Sequence, residues 1–403
     1  MNGNMHRGTR RFLYALAGVA WGLLSRSPLA SPVTPTFDDL VLEHVVSRND
    51  ATSQELRAIS DALRKDPGNR TLAVQLARTA ISRGQKLADP RYFGQAAAAL
   101  APWIAQPDPP TDVRLARAII RQFNHDFDAA LVDLDHILDQ EPLNAQARLT
   151  RAVIHTVRAD YAAAGQDCAK LTRITAPSVA TICVASVATL TGHARPALRL
   201  LTLVAADADT PVTLRVWALN LIGETASRLG ETSMAFRSFE QARILAPDDV
   251  YLLASYADAL IESGRPEDVA ALLAGSTRAD ALLLRLSEAG QLTGRTNPDH
   301  VRQLADSFET SRRRGDAFHR REEARFLLHI RGRAGPALRL AQENWAVQRE
   351  VADARILVDA AIAAGQPDAA TPVLNWRRDN NVEDIYLRQR AEAITNVPKA
   401  PAQ

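Results

Sequence analysis

Asp126-Phe127-Asp128-Ala129-Ala130 returns 34 residues later as Asp160-Tyr161-Ala162-Ala163-Ala164 (160 − 126 = 34), and Ala118 returns in the same frame as Ala152 (152 − 118 = 34). A recurrence of this length is the mark of helix pairs stacked many times over. Within each copy, apolar residues fall at helical spacing, a small or polar residue marks a tight turn, and a second helix opens at Pro, Asp or Glu. Working outward, the turn residues are Gly84, His125, Ala159, Gly192, Gly230, Gly264, Gly294, Gly332 and Gly365, the last eight spaced by 30 to 38 residues. Gly suits this place because one helix must stop and the next start within a few residues, which asks for backbone angles that a side chain opposes.

Composition agrees with that reading. Hydrophobic residues make up 46% of the 403 and aromatics only 5%, which suits close-packed helices and not a β-sandwich rich in β-branched and aromatic side chains. A single core for so long a chain would be oversized, whereas a solenoid escapes that limit because each unit touches its neighbours. Forty-eight basic against 46 acidic residues leave a net charge of +2, so no overall field gathers a polyanion, and nucleic acid is disfavoured as a partner. The densest basic run, Arg312-Arg313-Arg314, is followed by Asp316, Glu322 and Glu323 and reads as a solvated helix end.

The first 30 residues stand outside the repeats. Arg7, Arg10 and Arg11 precede the apolar stretch from Phe12 to Leu24, and Ser25-Arg26-Ser27-Pro28-Leu29-Ala30 follows. This order is that of a secretory signal peptide spanning 1–30, with a cut after Ala30. Thirteen residues (24 − 12 + 1) fall short of the roughly 20 that span a bilayer. Removal leaves a mature protein that does not span the membrane, in the periplasm of a bacterial cell. Pro28 departs from the small residue usual at its place, so an uncleaved inner-membrane tether is the alternative. Arg10-Arg11 before Phe12-Leu13 partly resembles a twin-arginine signal, and no Cys closes the apolar stretch to take a lipid.

Taken unit by unit, the chain resembles the tetratricopeptide repeat (TPR) family. Asn144 to Pro177 carries the fullest copy, with Ala152, Asp160-Tyr161, Ala164 and the closing Pro177; the unit before it has Ala118, Asp126-Phe127, Ala130 and Pro142. Gly223, Gly230, Ala235, Phe239, Ala242 and Pro247 make another, and Ala257, Gly264 and Val269 the next. The resemblance implies an all-α fold, a right-handed superhelical solenoid of about nine αα-hairpins plus capping helices. The solenoid is placed at 67–378. Its front is closed over 36–66, by Phe37–Ser47 with Ser53–Lys65, and its back by Glu383–Thr395 within 379–395; 396–403 form a disordered tail. The stretch Asn344-Trp345-Ala346-Val347-Gln348-Arg349-Glu350 also resembles the tail of exported bacterial repeat proteins.

Departures from the family pattern carry their own expectations. Arg117 and Arg151 stand where the family usually has Leu, and Asp133 and Asp167 on the following helices offer themselves as partners; an Arg reaching out to water is the alternative. Gln85 to Asp89 lengthen the first unit and are expected as a longer loop before Pro90. Beyond Gly275 the pattern degrades, Asp299 takes a packing position, and long helices are expected over Pro298–Arg314 and Asp316–Arg331, with a bend in the superhelix.

In the repeat frame Cys168 and Cys183 fall on the second helix of one unit and the first helix of the next, which touch. They are either a disulfide, closing a loop worth about 3 kcal/mol in an oxidising compartment, or two buried thiols. Too few companions stand at ligand spacing for a metal site, no cofactor is called for, and no hydrolase, zinc or phosphate-loop motif appears. The family resemblance instead implies a concave groove that holds extended or helical peptides. On the two fullest units it would use Asp112, Leu115, Ile119 and Gln122, then Gln146, Leu149, Val153 and Thr156, although the apolar ones among them could pack between units. Lys and Arg are missing from this stripe, so capture of an acidic tail is disfavoured. The function expected is a non-catalytic adaptor that binds a protein or peptide of the bacterial cell envelope. The alternatives are a membrane-tethered scaffold and an accessory protein of polysaccharide export.

Overall fold

The computed structural model describes residues 50–395, apart from 277 and 315–318. The signal peptide, the Phe37–Ser47 segment and the 396–403 tail lie outside the described residues, which are helical with no strand. Helix α1 (Ala51–Lys65) precedes nine antiparallel hairpins. These are α2 (Arg70–Leu87) with α3 (Pro90–Ile104), α4 (Thr111–Phe123) with α5 (Phe127–Gln140), and α6 (Ala145–Val157) with α7 (Tyr161–Leu171). Next come α8 (Pro177–Ala188) with α9 (Ala194–Ala206), α10 (Val212–Arg228) with α11 (Thr232–Leu245), and α12 (Val250–Glu262) with α13 (Pro266–Leu272). The last three are α14 (Asp280–Leu292) with α15 (Pro298–Arg314), α16 (Arg320–Arg325) with α17 (Ala334–Val347), and α18 (Val351–Ala363) with α19 (Thr371–Asp379); α20 (Ile385–Thr395) follows.

Local chemistry sets the helix starts. Asp50, Asn69, Asn144, Asp160 and Asp249 each accept a backbone N–H of the first turn on their side chains, satisfying donors that the helix leaves unpaired. Eight of the nine turn residues, from His125 (φ 59) and Ala159 (φ 63) to Gly365 (φ 66), adopt the left-handed conformation. The exception is Gly84. It lies inside α2, where an added Cβ would stand 2.6 Å from the Phe93 ring, so its role is close approach of α3. The true turn is Ala88 (φ 48), and Gln85–Leu87, expected as part of a loop, extend α2 instead. The same close approach recurs at Gly223, where a Cβ would meet the buried Phe239 ring at 2.6 Å.

The helix expected over Asp316–Arg331 is also revised. Its described part is α16, a single short helix that passes into a π-helical turn at Phe326–Ile330. Widened turns of this kind absorb irregular spacing within a helix.

A second feature goes beyond an open array. The superhelix is tight enough that its later units rest on the turn-side rim of its earlier ones. Lys86 at the end of α2 in the first hairpin pairs with Asp248, just before α12 in the sixth, at 2.7 Å. Arg349, just before α18 in the ninth hairpin, donates its backbone N–H to the Val157 carbonyl of the third at 2.7 Å. Glu383, just before α20, accepts the backbone N–H of Ala194 in the fourth at 2.9 Å. The superhelix therefore completes a turn in five to six hairpins (6 − 1 = 5, 9 − 3 = 6). Along this seam Trp376 Nε1 donates to the Tyr161 hydroxyl at 3.1 Å, and Trp345 meets Trp376 edge-on at 5.4 Å. Helices α6–α8 and α17–α20 consequently share one apolar core. Burial pushes the Tyr161 hydroxyl pKa up to about 12 and the His125 imidazole down to about 4, the latter helped by nearby Arg321. Helix α20 thus does more than close the end of the array, since Ile385 also sits over Gly230.

The Asn344–Glu350 stretch builds the upper side of the seam. Asn344 Nδ2 and Gln348 Nε2 both donate to Oδ1 of the fully buried Asp353, at 2.8 and 3.0 Å, and the Glu350 backbone N–H donates to its Oδ2 at 2.8 Å. These bonds fix the α17–α18 turn and present Arg349 to Val157.

Candidate functional site

Closing one turn upon another encloses a solvent-connected central cavity of about 3280 Å³, walled by the first helices of successive hairpins. Five of the eight groove residues read from the sequence line it: Ile119 and Gln122 on α4, and Leu149, Val153 and Thr156 on α6. The other three do not. Asp112 turns its carboxylate to the Val113 backbone N–H at 2.9 Å and stands 3.6 Å from Arg70. Leu115 packs against the core between α4 and α5, and Gln146 reaches Thr150 on its own helix at 3.5 Å. The wall is drawn around Ile119 and Gln122 of α4 and Leu149, Val153 and Thr156 of α6, next to the rim that carries the upper turn.

Both candidate ion pairs sit inside their hairpins. Arg117 grips Asp133 through Nε (2.9 Å) and Nη2 (2.6 Å), and Arg121 adds a third contact at 2.6 Å. One repeat on, Arg151 grips Asp167 at 2.8 Å through two nitrogens while Arg148 joins at 3.0 Å. These carboxylates are buried, so each is satisfied several times over, as an ion within a helix crossing requires. Cys168 on α7 and Cys183 on α8 form a disulfide that ties the third hairpin to the fourth.

The wall changes character along the array. On α4, α6 and α8 the cavity-facing side chains are uncharged, as with Ile119, Val153, Thr156, Ser186 and Thr189. On α12 to α18 they are ionic and bridge different hairpins, one to three apart. Arg285 reaches Asp258 (2.9 Å) and Glu322 (2.5 Å); Arg325 reaches Asp258 and Glu288 (both 2.7 Å); Arg321 reaches Glu350 (2.8 Å); Arg355 reaches Glu262 and Asp384. Burial opposes the Asp258 carboxylate charge, yet Arg285 and Arg325 outweigh it and hold the pKa at about 2. Sequence reasoning missed this network because its members share no repeat offset. The available signal was the run of Arg and acidic residues on helices otherwise rich in Leu and Ala.

Between the two walls lies α10. Glu224 there accepts hydrogen bonds from Ser255 at 2.8 Å and Asn220 at 3.2 Å, and burial pushes its carboxyl pKa above the ordinary value. Tyr251, opposite on α12, is 56% exposed although it points into the cavity. Among the described residues, no His, Cys, Asp or Glu side chains converge as a metal site.

The architecture defines a TPR-like solenoid closed upon itself around an inner cavity. No family model matches the chain, and no curated protein matches it. Solved structures similar to it include a tetratricopeptide repeat protein from Parabacteroides merdae (12% identity, 78% of this chain and 99% of that one, TM-score 0.35). Yeast Tom70 is similar at 11% identity over 85% of this chain and 84% of its own, with a TM-score of 0.41. The human IFIT1 dimer is similar at 10% identity over 84% and 87%, with a TM-score of 0.43.

Proposed function

We propose that this chain is a non-catalytic scaffold that takes a segment of a protein or peptide partner into its central cavity. The observation that carries the reading is the size and lining of that space. At about 3280 Å³ it is more than three times the roughly 1,000 Å³ upper range of small-molecule pockets. Its uncharged wall on α4, α6 and α8 offers apolar and hydroxyl-bearing side chains without a charge demand. The ionic wall opposite ties hairpins together through its guanidinium–carboxylate pairs and so stiffens the frame, and its excess of carboxylates does not draw in a polyanion.

The setting we propose is the bacterial cell envelope, reached through the N-terminal export signal. No helix among the described residues is long and apolar enough to cross a membrane, and the Cys168–Cys183 bridge suits an oxidising compartment. An uncleaved N-terminus would make the same cavity a tethered scaffold. Crosslinking pull-downs from envelope fractions test the reading: a partner captured by the wild type and lost on Val153→Arg, which drives a charge into the uncharged wall, is the expected result. Capture that is indifferent to Val153→Arg would place binding elsewhere.

A further inference from the structure

The proposed peptide-binding role of the cavity underlies a sharper inference about what the peptide must carry. Ser255 and Asn220 hydrogen-bond Glu224, and Tyr251 faces it from α12. Both donors are neutral, and among the described residues no Arg, Lys or His nitrogen pairs with it within 4.0 Å. Arg228, one helical turn on, directs its donors to the Thr189 carbonyl at 3.1 Å and the Thr225 hydroxyl at 3.2 Å. Asp258, Glu288, Glu322 and Glu262 in the ionic wall are each held by a guanidinium group. Glu224 is therefore a cavity carboxylate that no cation bonds directly; Arg228 acts on it through space, and burial outweighs that help. Beside it on the same face of α10, Trp217 and Leu221 are half-buried and line the cavity, and Tyr251 presents its ring from α12.

We propose that Glu224 receives a Lys or Arg side chain of the bound peptide, with the aliphatic stem lying over Trp217, Leu221 and the Tyr251 ring. Long cationic side chains bury their methylenes on apolar surface and direct the charged head to a polar end. Aromatic faces favour a nearby cation, and a charge-assisted bond to a partly desolvated carboxylate is stronger than one between neutral groups. The alternating polar and apolar lining of α10, two turns long between Trp217 and Glu224, matches the length of such a side chain better than a compact cation.

The experiment selects a random peptide library displayed on phage against the full mature chain, Glu224→Gln and Val153→Arg, and sequences the retained pools. The wild-type pool should be enriched in Lys or Arg at one position. A peptide from that pool should bind Glu224→Gln about tenfold to a hundredfold more weakly, as expected for loss of one charged hydrogen-bonded contact. A wild-type pool without basic enrichment, or enrichment that persists in Glu224→Gln, overturns this inference while leaving the cavity reading standing. Retention by the wild type no greater than by Val153→Arg overturns both.

Discussion

The hairpins α4/α5 and α6/α7 hide their ions, whereas the hairpins from α12 onward spread theirs along the cavity. In the early pair, Arg117–Asp133 and Arg151–Asp167 each join the two helices of one hairpin at the same place in the repeat. In the later units, Arg285, Arg325 and Arg355 join different hairpins, each with its own set of partners. The difference shows two ways of fixing helix register. Small residues such as Ala118, Ala130, Ala152 and Ala164, all buried at the crossings, let backbones approach around one buried ion pair repeated in each hairpin, with Arg151–Asp135 and Arg158–Asp128 joining the two hairpins nearer the surface. Where Asp299 and its neighbours replace that pattern, charged side chains between hairpins supply the register, and the repeat signature fades from the sequence.

The largest expected break in this comparison is Arg285→Met. It takes from Glu322 its guanidinium at 2.5 Å, leaving only Arg321 at 3.5 Å, while Asp258 keeps Arg325 at 2.7 Å; the loss is about 3–5 kcal/mol, measurable as a lowered urea midpoint. Cys168→Ser comes next, in the early region. Opening a loop with a sequence separation of 15 residues should cost about 3 kcal/mol, and reduction of the wild type should lower its thermal midpoint to that of the variant. A variant as stable as the oxidised wild type would show that packing alone holds the third and fourth hairpins together.

Arg117→Met should cost less, about 1.5–3 kcal/mol, because Arg121 stays 2.6 Å from Asp133. If it proved as damaging as Arg285→Met, the distinction between hidden and spread ions would fail. Acid titration sharpens the contrast at the small end. Asp258 is held at about 2 against an ordinary 3.8, so its stabilising contribution is complete above pH 3.8 and is lost as pH falls toward 2. Arg325→Met should raise that carboxyl pKa and move the acid loss upward in pH, followed by carboxyl chemical shifts.

The fold was legible wherever geometry repeats. Ala118 and Ala152, Phe127 and Tyr161, and the left-handed turns at His125 and Ala159 follow from what one hairpin demands of its own residues. Gly84 misled because a glycine serves equally as a turn or as room for a ring, and only the position of Phe93 decides between them. The closure was hidden for a related reason. Trp376 on Tyr161 and Arg349 on Val157 join residues far apart in the chain with no shared period. Asp112, Leu115 and Gln146 were therefore drawn into the groove by periodicity alone, while Glu224, Tyr251 and the ionic wall carried no repeating mark.

The seating of later hairpins on earlier ones underlies every statement about the cavity, and a zero-length carbodiimide crosslink tests it most directly. Lys86 and Asp248 lie 2.7 Å apart and both remain open to solvent. The monomeric, crosslinked protein should therefore yield a peptide pair joined by a Lys86–Asp248 amide. If the monomer instead carries that crosslink nowhere, while exposed pairs within single hairpins react, the superhelix is open and the enclosed cavity does not exist.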